Sequence, residues 1–231
     1  MASWMVHLRI ADKLLERIPD LDESAFILGN IAPDSGVPNE DWSVFNPPGN
    51  VTHYRTNPAD KTFIDVEKYV QEYFSKEKIE NYSQREYSFF LGYYTHLLTD
   101  IEWTKMVHSE GVNEENAQKE GMSLSDFIWK NKEDWYDLDF LYLEQHPDFR
   151  AFLVYENAED ITNVFMKEFA EDAFENRREY ICGYYRSDNH GDLHRGYKYL
   201  TKERSDRFVE ETSEKIMTSY NASVRQFRHR H

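Results

Sequence analysis

Apolar residues recur at three- and four-residue spacings along most of the chain, and this pattern predicts helices. Met5, Leu8, Ala11, Leu15 and Ile18 form one face of a first helix, with Ser3 placed to cap it and Pro19 to end it. Asp22 or Ser24 opens a short second helix through Phe26, Ile27 and Leu28, and Gly29-Asn30 suits its C-terminal end. From about Ile31 to Asn57 the pattern is irregular and broken by Pro33, Gly36, Pro38, Pro47, Pro48 and Gly49. Structureless loops of roughly 15 residues or more are uncommon in compact domains and are usually functional or disordered. Trp42, Phe45, His53 and Tyr54 make function the better reading.

Pro58 suits the first position of a third helix bearing Phe63, Val66, Val70 and Phe74. Ser83 and Glu86 form a capping box before a fourth helix that runs to about Val107. That helix is apolar nearly all round, so it should be the central buried one. Ser123 and Asp126 open a fifth helix that ends near Pro147. A sixth is predicted from about Asp160 to Tyr185, and a last from about Lys202 to Gln226. With no strand pattern, repeat or linker, the expectation is an all-α fold: one compact domain over residues 1–231 with a metal site among buried helices and the long loop.

Composition narrows the function. The 231 residues can bury a full core. The net charge of −16, from 27 bases and 43 acids, opposes non-specific binding to nucleic-acid backbones and anionic lipid surfaces. A single cysteine, Cys182, allows no intrachain disulfide. No apolar stretch approaches the roughly 18 residues of a membrane span, and the opening MASWMVHLRIADKLLERI lacks a basic-then-apolar leader, so a cytoplasmic protein is expected.

The chemistry begins with His96 and Asp100, four apart on the most apolar helix and therefore on one face. A buried carboxylate is costly unless paired or bound to metal, and imidazole and carboxylate are both zinc ligands. The ordinary alternative is a His–Asp hydrogen bond inside the core. His7 lies in the first helix, Asp34 follows Ala-Pro at the mouth of the long loop, and His53 stands at its far end. Singly, these read as a half-buried histidine, a turn aspartate and a surface histidine. Together the five supply enough donors for a two-metal site with a shared carboxylate, in which ions lie about 3.5–4 Å apart.

The order His7, Asp34, His53, His96-x-x-x-Asp100 resembles the zinc-dependent phospholipase C family, whose wider superfamily includes the S1/P1-type nucleases. The words H-L-R-I-A from His7, G-N-I-A-P-D from Gly29 and T-H-Y from Thr52 match as well. The stretch F-F-L-G-Y-Y-T-H-L-L-T-D-I-E-W from Phe89 is the strongest, and is similar to the phospholipase-C-like domain of glycosylphosphatidylinositol-specific phospholipase D. The resemblance covers residues 4–108. It implies that Asp34, His53, His96 and Asp100 hold one zinc, and that His7 and Asp100 hold a second, with Asp100 bridging. It also implies that a metal-activated water attacks phosphorus, with Asp34 assisting as base. Two ions or three are implied; iron and manganese suit the same donors nearly as well.

The chain departs from the family in places. The family's mature N-terminal Trp binds zinc through its own amine, whereas Trp4 is internal. Thr104 stands where the phospholipase D relative carries a further histidine. His108, a little further on, either takes that ligand's place or is exposed. His190 and His194, beside Asp188 and Asp192, have metal-ligand chemistry at a spacing that is not the family's. The resulting expectation is a metal-dependent hydrolase acting on a phosphodiester or phosphomonoester, lipid-derived or not. The alternative is a non-catalytic metal-binding or interaction protein on the same helical scaffold.

Overall fold

A computed structural model describes residues 1–41, 43–57, 59–60, 62–107 and 112–225, with Val112 described by its backbone alone. Among these residues the chain is all-helical apart from one small hairpin. In chain order come α1 (Trp4–Leu15), α2 (Glu23–Ile31), a 3-10 turn (Ala32–Asp34), strands β1 (Val37–Pro38) and β2 (Phe45–Asn46), and α3 (Gly49–Thr52). Then follow α4 (Val66–Tyr73), α5 (Lys76–Asn81), α6 (Gln84–Val107), α7 (Val112–Glu120) and α8 (Leu124–Gln145). The last three are α9 (Arg150–Glu156), α10 (Ala173–Tyr185) and α11 (Lys202–Ser223).

The expected caps form. Ser3 Oγ accepts from the Val6 amide, Asp22 from Ala25 and Ser123 from Asp126, each filling an orphan donor of a helix start. In the capping box the Ser83 amide donates to Glu86 at 2.8 Å, while the Glu86 amide donates to Ser83 Oγ at 3.2 Å. The α6 helix is buried around most of its circumference from Tyr87 to Trp103, as its apolar pattern requires.

Several boundaries differ from the pattern-based expectation. Gly29 and Asn30 lie inside α2, whose end is Ile31. Gly29 is there for contact: a Cβ on it would stand 2.0 Å from the Phe89 carbonyl oxygen of α6. Reciprocally, a Cβ on Gly92 would stand 2.1 Å from the Phe26 carbonyl oxygen of α2. The two helices therefore cross backbone to backbone. The third helix starts at Val66, capped by Asp65, and not at Pro58, which lies outside the described residues. The long irregular stretch contains the antiparallel pair β1–β2, with Val37 opposite Asn46, where no strand was expected. The helices α5, α7 and α9 were not anticipated.

The sixth predicted helix begins only at Ala173. Ahead of it, the Asn163 side chain donates to the carbonyls of Met166 at 2.7 Å and Phe169 at 2.9 Å, and accepts from the amides of Phe165 and Met166. An asparagine that bonds nearby backbone in this way competes directly with helix.

Two sets of contacts seat α1. Along one side Arg9, Lys13 and Arg17 pair with Asp206, Glu210 and Glu214 of α11, so both helices run in the same direction in register. At its start, Ser3 Oγ donates to Asp139 Oδ1 and the Tyr185 hydroxyl to Asp139 Oδ2, each at 2.8 Å, while the Met5 amide donates to that hydroxyl. Asp139 is buried, and this burial pushes its carboxyl up to about 7 despite the two hydroxyl donors.

Two outcomes follow. Gly29→Ala and Gly92→Ala each lower unfolding free energy by about 3 kcal/mol or more in denaturant titrations, because backbone cannot yield as a side chain does. The folded Asp139 carboxyl retains a proton that the unfolded chain has released, so its contribution is complete below about pH 4 and is lost as pH rises through about 7. Asp139→Asn does not titrate, and should gain on wild type by on the order of 3 kcal/mol in unfolding experiments run from about pH 4 to pH 8. An unchanged difference across that range would refute the assignment.

Candidate metal centre

Four parts of the chain converge near the α2–α6 crossing. His96 and Asp100 project from one face of α6, His7 comes from α1, Asp34 ends the 3-10 turn after α2, and His53 directly follows α3. His7, His53, His96 and Asp100 are almost completely buried, whereas the Asp34 side chain keeps 11% exposure. Asp34 is the centre's opening to solvent.

The donor atoms face one another. His53 Nε2 lies 3.2 Å from Asp34 Oδ1, 3.2 Å from His96 Nε2 and 3.6 Å from Asp100 Oδ2. His96 Nε2 lies 3.7 Å from Asp100 Oδ2, and His7 Nε2 lies 3.5 Å from Asp100 Oδ1. The His7 and His96 rings stack in parallel, 3.8 Å apart. Two groups of donors satisfy metal-ligand proximity: His7, His96 and Asp100, and Asp34, His53 and His96. His96 falls in both, yet one imidazole nitrogen serves one ion. Asp100 can address both sides, because Oδ1 faces His7 while Oδ2 faces His53 and His96.

The far sides of the rings decide which nitrogens are free. His96 Nδ1 donates to the Asn30 backbone carbonyl at 2.8 Å, and His53 Nδ1 donates to the Gly49 carbonyl at 3.2 Å with Thr52 Oγ1 at 2.9 Å. A proton fixed on Nδ1 leaves Nε2 as a lone pair aimed at the cluster, which is the orienting arrangement of metal-bound histidines. Neither nitrogen of His7 has a hydrogen-bond partner, and neither does Asp100 Oδ2. Converging imidazole lone pairs and carboxylate oxygens, with too few donors among them, fit a cation.

The charges are consistent with this. Burial pushes the His96 imidazolium down to about 3, helped by His7, so the ring is neutral and able to ligate. Burial opposes ionisation of Asp34, but contact with His53 and the fields of His96 and His53, where those rings are protonated, outweigh it and hold the carboxyl below its usual range. With both rings neutral for ligation, that stabilisation would fall to a bound cation. Asp100 behaves alike: burial is overridden by the chain's terminal ammonium and by His7. Its Oδ1 also accepts from the Ala2 amide at 2.8 Å, so Ala2, and not Trp4, reaches the cluster.

A family model for zinc-dependent phospholipase C matches residues 6–214. The chain belongs to the zinc-dependent phospholipase C family. No match was found among curated proteins or among solved structures. The family match runs well past residue 108, where the motif resemblance ended, and takes in α8 to α10 and part of α11. Family membership and the buried His/Asp groups together support a divalent metal, zinc by the family's own description, and a metal-dependent role in phospholipid hydrolysis. Among the described residues no helix is long and apolar enough to cross a membrane.

The remaining candidates stand apart. His108 lies outside the described residues, as does Trp42. His190 is exposed against Phe140 with Nδ1 on the Gly191 carbonyl, and His194 is exposed beside Glu144. Neither belongs to a metal-capable group among the described residues.

Two cavities flank the centre. The larger, about 1040 Å³, holds Tyr54 and Tyr93 but none of the five donors. The other, about 550 Å³, opens onto Asp34 and is walled by Trp4, Phe45, Trp103, Trp129, Trp135 and Tyr180. Of the aromatics singled out in the long irregular stretch, Phe45 lines it. Thr104 lies there too, and so do Lys132 and Arg177, which sequence reasoning missed.

Zinc should raise the melting temperature of the metal-stripped protein, since a ligand at a hundred times its Kd adds about 2.7 kcal/mol to the folded state. His96→Ala and Asp100→Ala should abolish that shift and lower metal content by elemental mass spectrometry. A full shift in both variants would show that the metal binds elsewhere.

Proposed function

We propose that this zinc-dependent phospholipase C relative is a metal-dependent phosphoesterase. In this reading His7, Asp34, His53, His96 and Asp100 hold a two-ion centre with Asp100 as the shared carboxylate. The observation that carries it is the split address of Asp100, one oxygen toward His7 and the other toward His53 and His96. Bound divalent cations supply Lewis acidity for phosphoryl oxygens and make a water nucleophilic near neutral pH.

The chain's own groups prepare for that chemistry. Asn30 and Gly49 fix the tautomers of His96 and His53 through their carbonyls. Asp34 alone of the five lines the 550 Å³ cavity, so it is the group that meets the attacking water and substrate. It is ionised at neutral pH, as a proton acceptor must be. The aromatic walls exclude bulk water and present apolar surface to the ester's organic part. The substrate is a phosphodiester or phosphomonoester, and the family's name favours a lipid-derived one.

The test is hydrolysis of bis-p-nitrophenyl phosphate and of short-chain phosphatidylcholine after loading with zinc, iron or manganese. Expected is turnover in at least one metal form, with kcat/KM falling about 100-fold or more in His96→Ala and Asp100→Ala. Asp34→Asn should lose kcat more than it raises KM. No turnover with any of the three metals, while metal is bound, would leave a non-catalytic metal-binding protein.

A further inference from the structure

The cavity over Asp34 is lined by two cations that have no carboxylate partner among the described residues. Elsewhere some arginines pair with carboxylates, as Arg9 with Asp206, Arg186 with Glu156 and Arg195 with Asp134 and Asp137, and others, as Arg178 and Arg204, are held by backbone carbonyls. What sets this cavity apart is that its cations lie beside buried donors with no acceptor. Arg177 is buried, and among the described residues it has no carboxylate partner. Its Nη2 donates to the Gly36 carbonyl at 2.7 Å, its guanidinium lies 5.9 Å from the Trp4 ring and 5.5 Å from the Tyr180 ring, and its Nε–H bonds to nothing. Lys132 is half-buried with Nζ 4.1 Å over the Trp129 ring, and it too has no carboxylate partner among the described residues. Trp103, almost fully buried in the same wall, has an indole N–H that also bonds to nothing.

Buried donors without acceptors are rare in native proteins, and each asks for a missing partner. Here the residues bearing these two buried donors line one cavity together with Lys132, whose ammonium has no carboxylate partner among the described residues, and each of the three calls for an oxygen acceptor or an anion. The aromatic rings alone would suit a quaternary ammonium, but three of them already face a cation of the chain: Arg177 lies beside Trp4 and Tyr180, and Lys132 over Trp129. A further cation there would meet two like charges.

We infer that this cavity is a specificity pocket for a second anionic group on the substrate, a carboxylate or a further phosphate beside the phosphate that reaches Asp34, with Arg177, Lys132 and Trp103 as its donors. The placement of the first phosphate rests on the hydrolase reading above. The enzyme therefore selects esters whose headgroup is itself anionic and discriminates against choline esters.

The test measures binding, which needs no turnover. Four small phosphates are titrated calorimetrically into the zinc-loaded chain: 2-phosphoglycolate, 1,3-propanediol bisphosphate, ethyl phosphate and phosphocholine. They share one phosphate and differ in the second group: carboxylate, phosphate, neutral or cationic. Wild type should bind one or both of the probes bearing two anionic groups about tenfold or more tighter than phosphocholine, with ethyl phosphate between them. Whichever of the two binds tighter identifies the second anion.

Lys132→Glu should collapse or invert that ratio. Lys132 is half-exposed, so this variant keeps the test alive should Arg177→Gln not fold. Lys76→Glu, a charge reversal on α5 away from the cavity, should change the ratio less than about twofold, which separates a local pocket from net charge. Equal or tighter binding of phosphocholine by wild type, or a ratio indifferent to Lys132→Glu, overturns the inference. Turnover of bis-p-nitrophenyl phosphate with a flat ratio would sink the pocket and spare the hydrolase. A strong ratio without turnover would do the reverse.

Discussion

The crossing of α2 and α6 at Gly29 and Gly92 positions most of the centre. Each glycine lies against the other helix's backbone, at a separation where a single Cβ would overlap a carbonyl oxygen. That proximity brings the Asn30 carbonyl to His96 Nδ1 and so fixes which nitrogen faces the cluster. Asp34 lies only three residues past the end of α2, so its position is inherited from the same contact. His96 and Asp100 need nothing further, because the helical repeat already sets them on one face. Only His7 and His53 arrive by other routes, through the seating of α1 and through the cap of α3.

Such an arrangement is costly in an empty protein. An unsatisfied buried polar group costs about 1–3 kcal/mol, and a domain's whole stability is about 5–15 kcal/mol. Both His7 nitrogens and Asp100 Oδ2 are without partners, while the nitrogens of His53 and His96 face each other at 3.2 Å. One His7 nitrogen carries a proton, but no hydrogen-bond rearrangement within the cluster satisfies all the remaining lone pairs, since the protons of His53 and His96 are committed to backbone carbonyls on the far side. Cations are the simplest partners for those lone pairs. Folding and metal binding are thus coupled, and the clamp of Ser3, Asp139 and Tyr185 holds α1 in place.

How much of this the sequence revealed depended on the range of each interaction. Helix starts were legible because a cap is local: Ser3, Asp22, Ser83 and Ser123 each act within a few residues. His96 and Asp100 were legible because the 3.6-residue repeat is local too. Asp34 and His53 sit on turns whose path no periodicity sets, and only the order of motifs singled them out. Gly29 misled because a glycine that ends a helix and one that admits a neighbour look alike until the neighbour is known. Asn163 ended a predicted helix by its own hydrogen bonds, which no apolar pattern records. Arg177 and Lys132 were missed because their significance lies in the carboxylates they do not meet among the described residues, which only the folded arrangement shows.

The charge of the chain bears on this last point. A net charge of −16 would seem to keep anions away, but its reach is limited: at physiological ionic strength, exposed charges are largely screened beyond about 8 Å. Inside a cavity walled by tryptophan and tyrosine the screening is weaker, and the nearest charges dominate. There the local sum runs opposite to the surface, with Arg177 and Lys132 against Asp34, and any bound divalent cations add to the positive side. The acidic exterior therefore disfavours anchoring on broad anionic surfaces, while the interior still attracts a single compact anionic ester. A site that combines the two filters by the size and local charge of the molecule it admits.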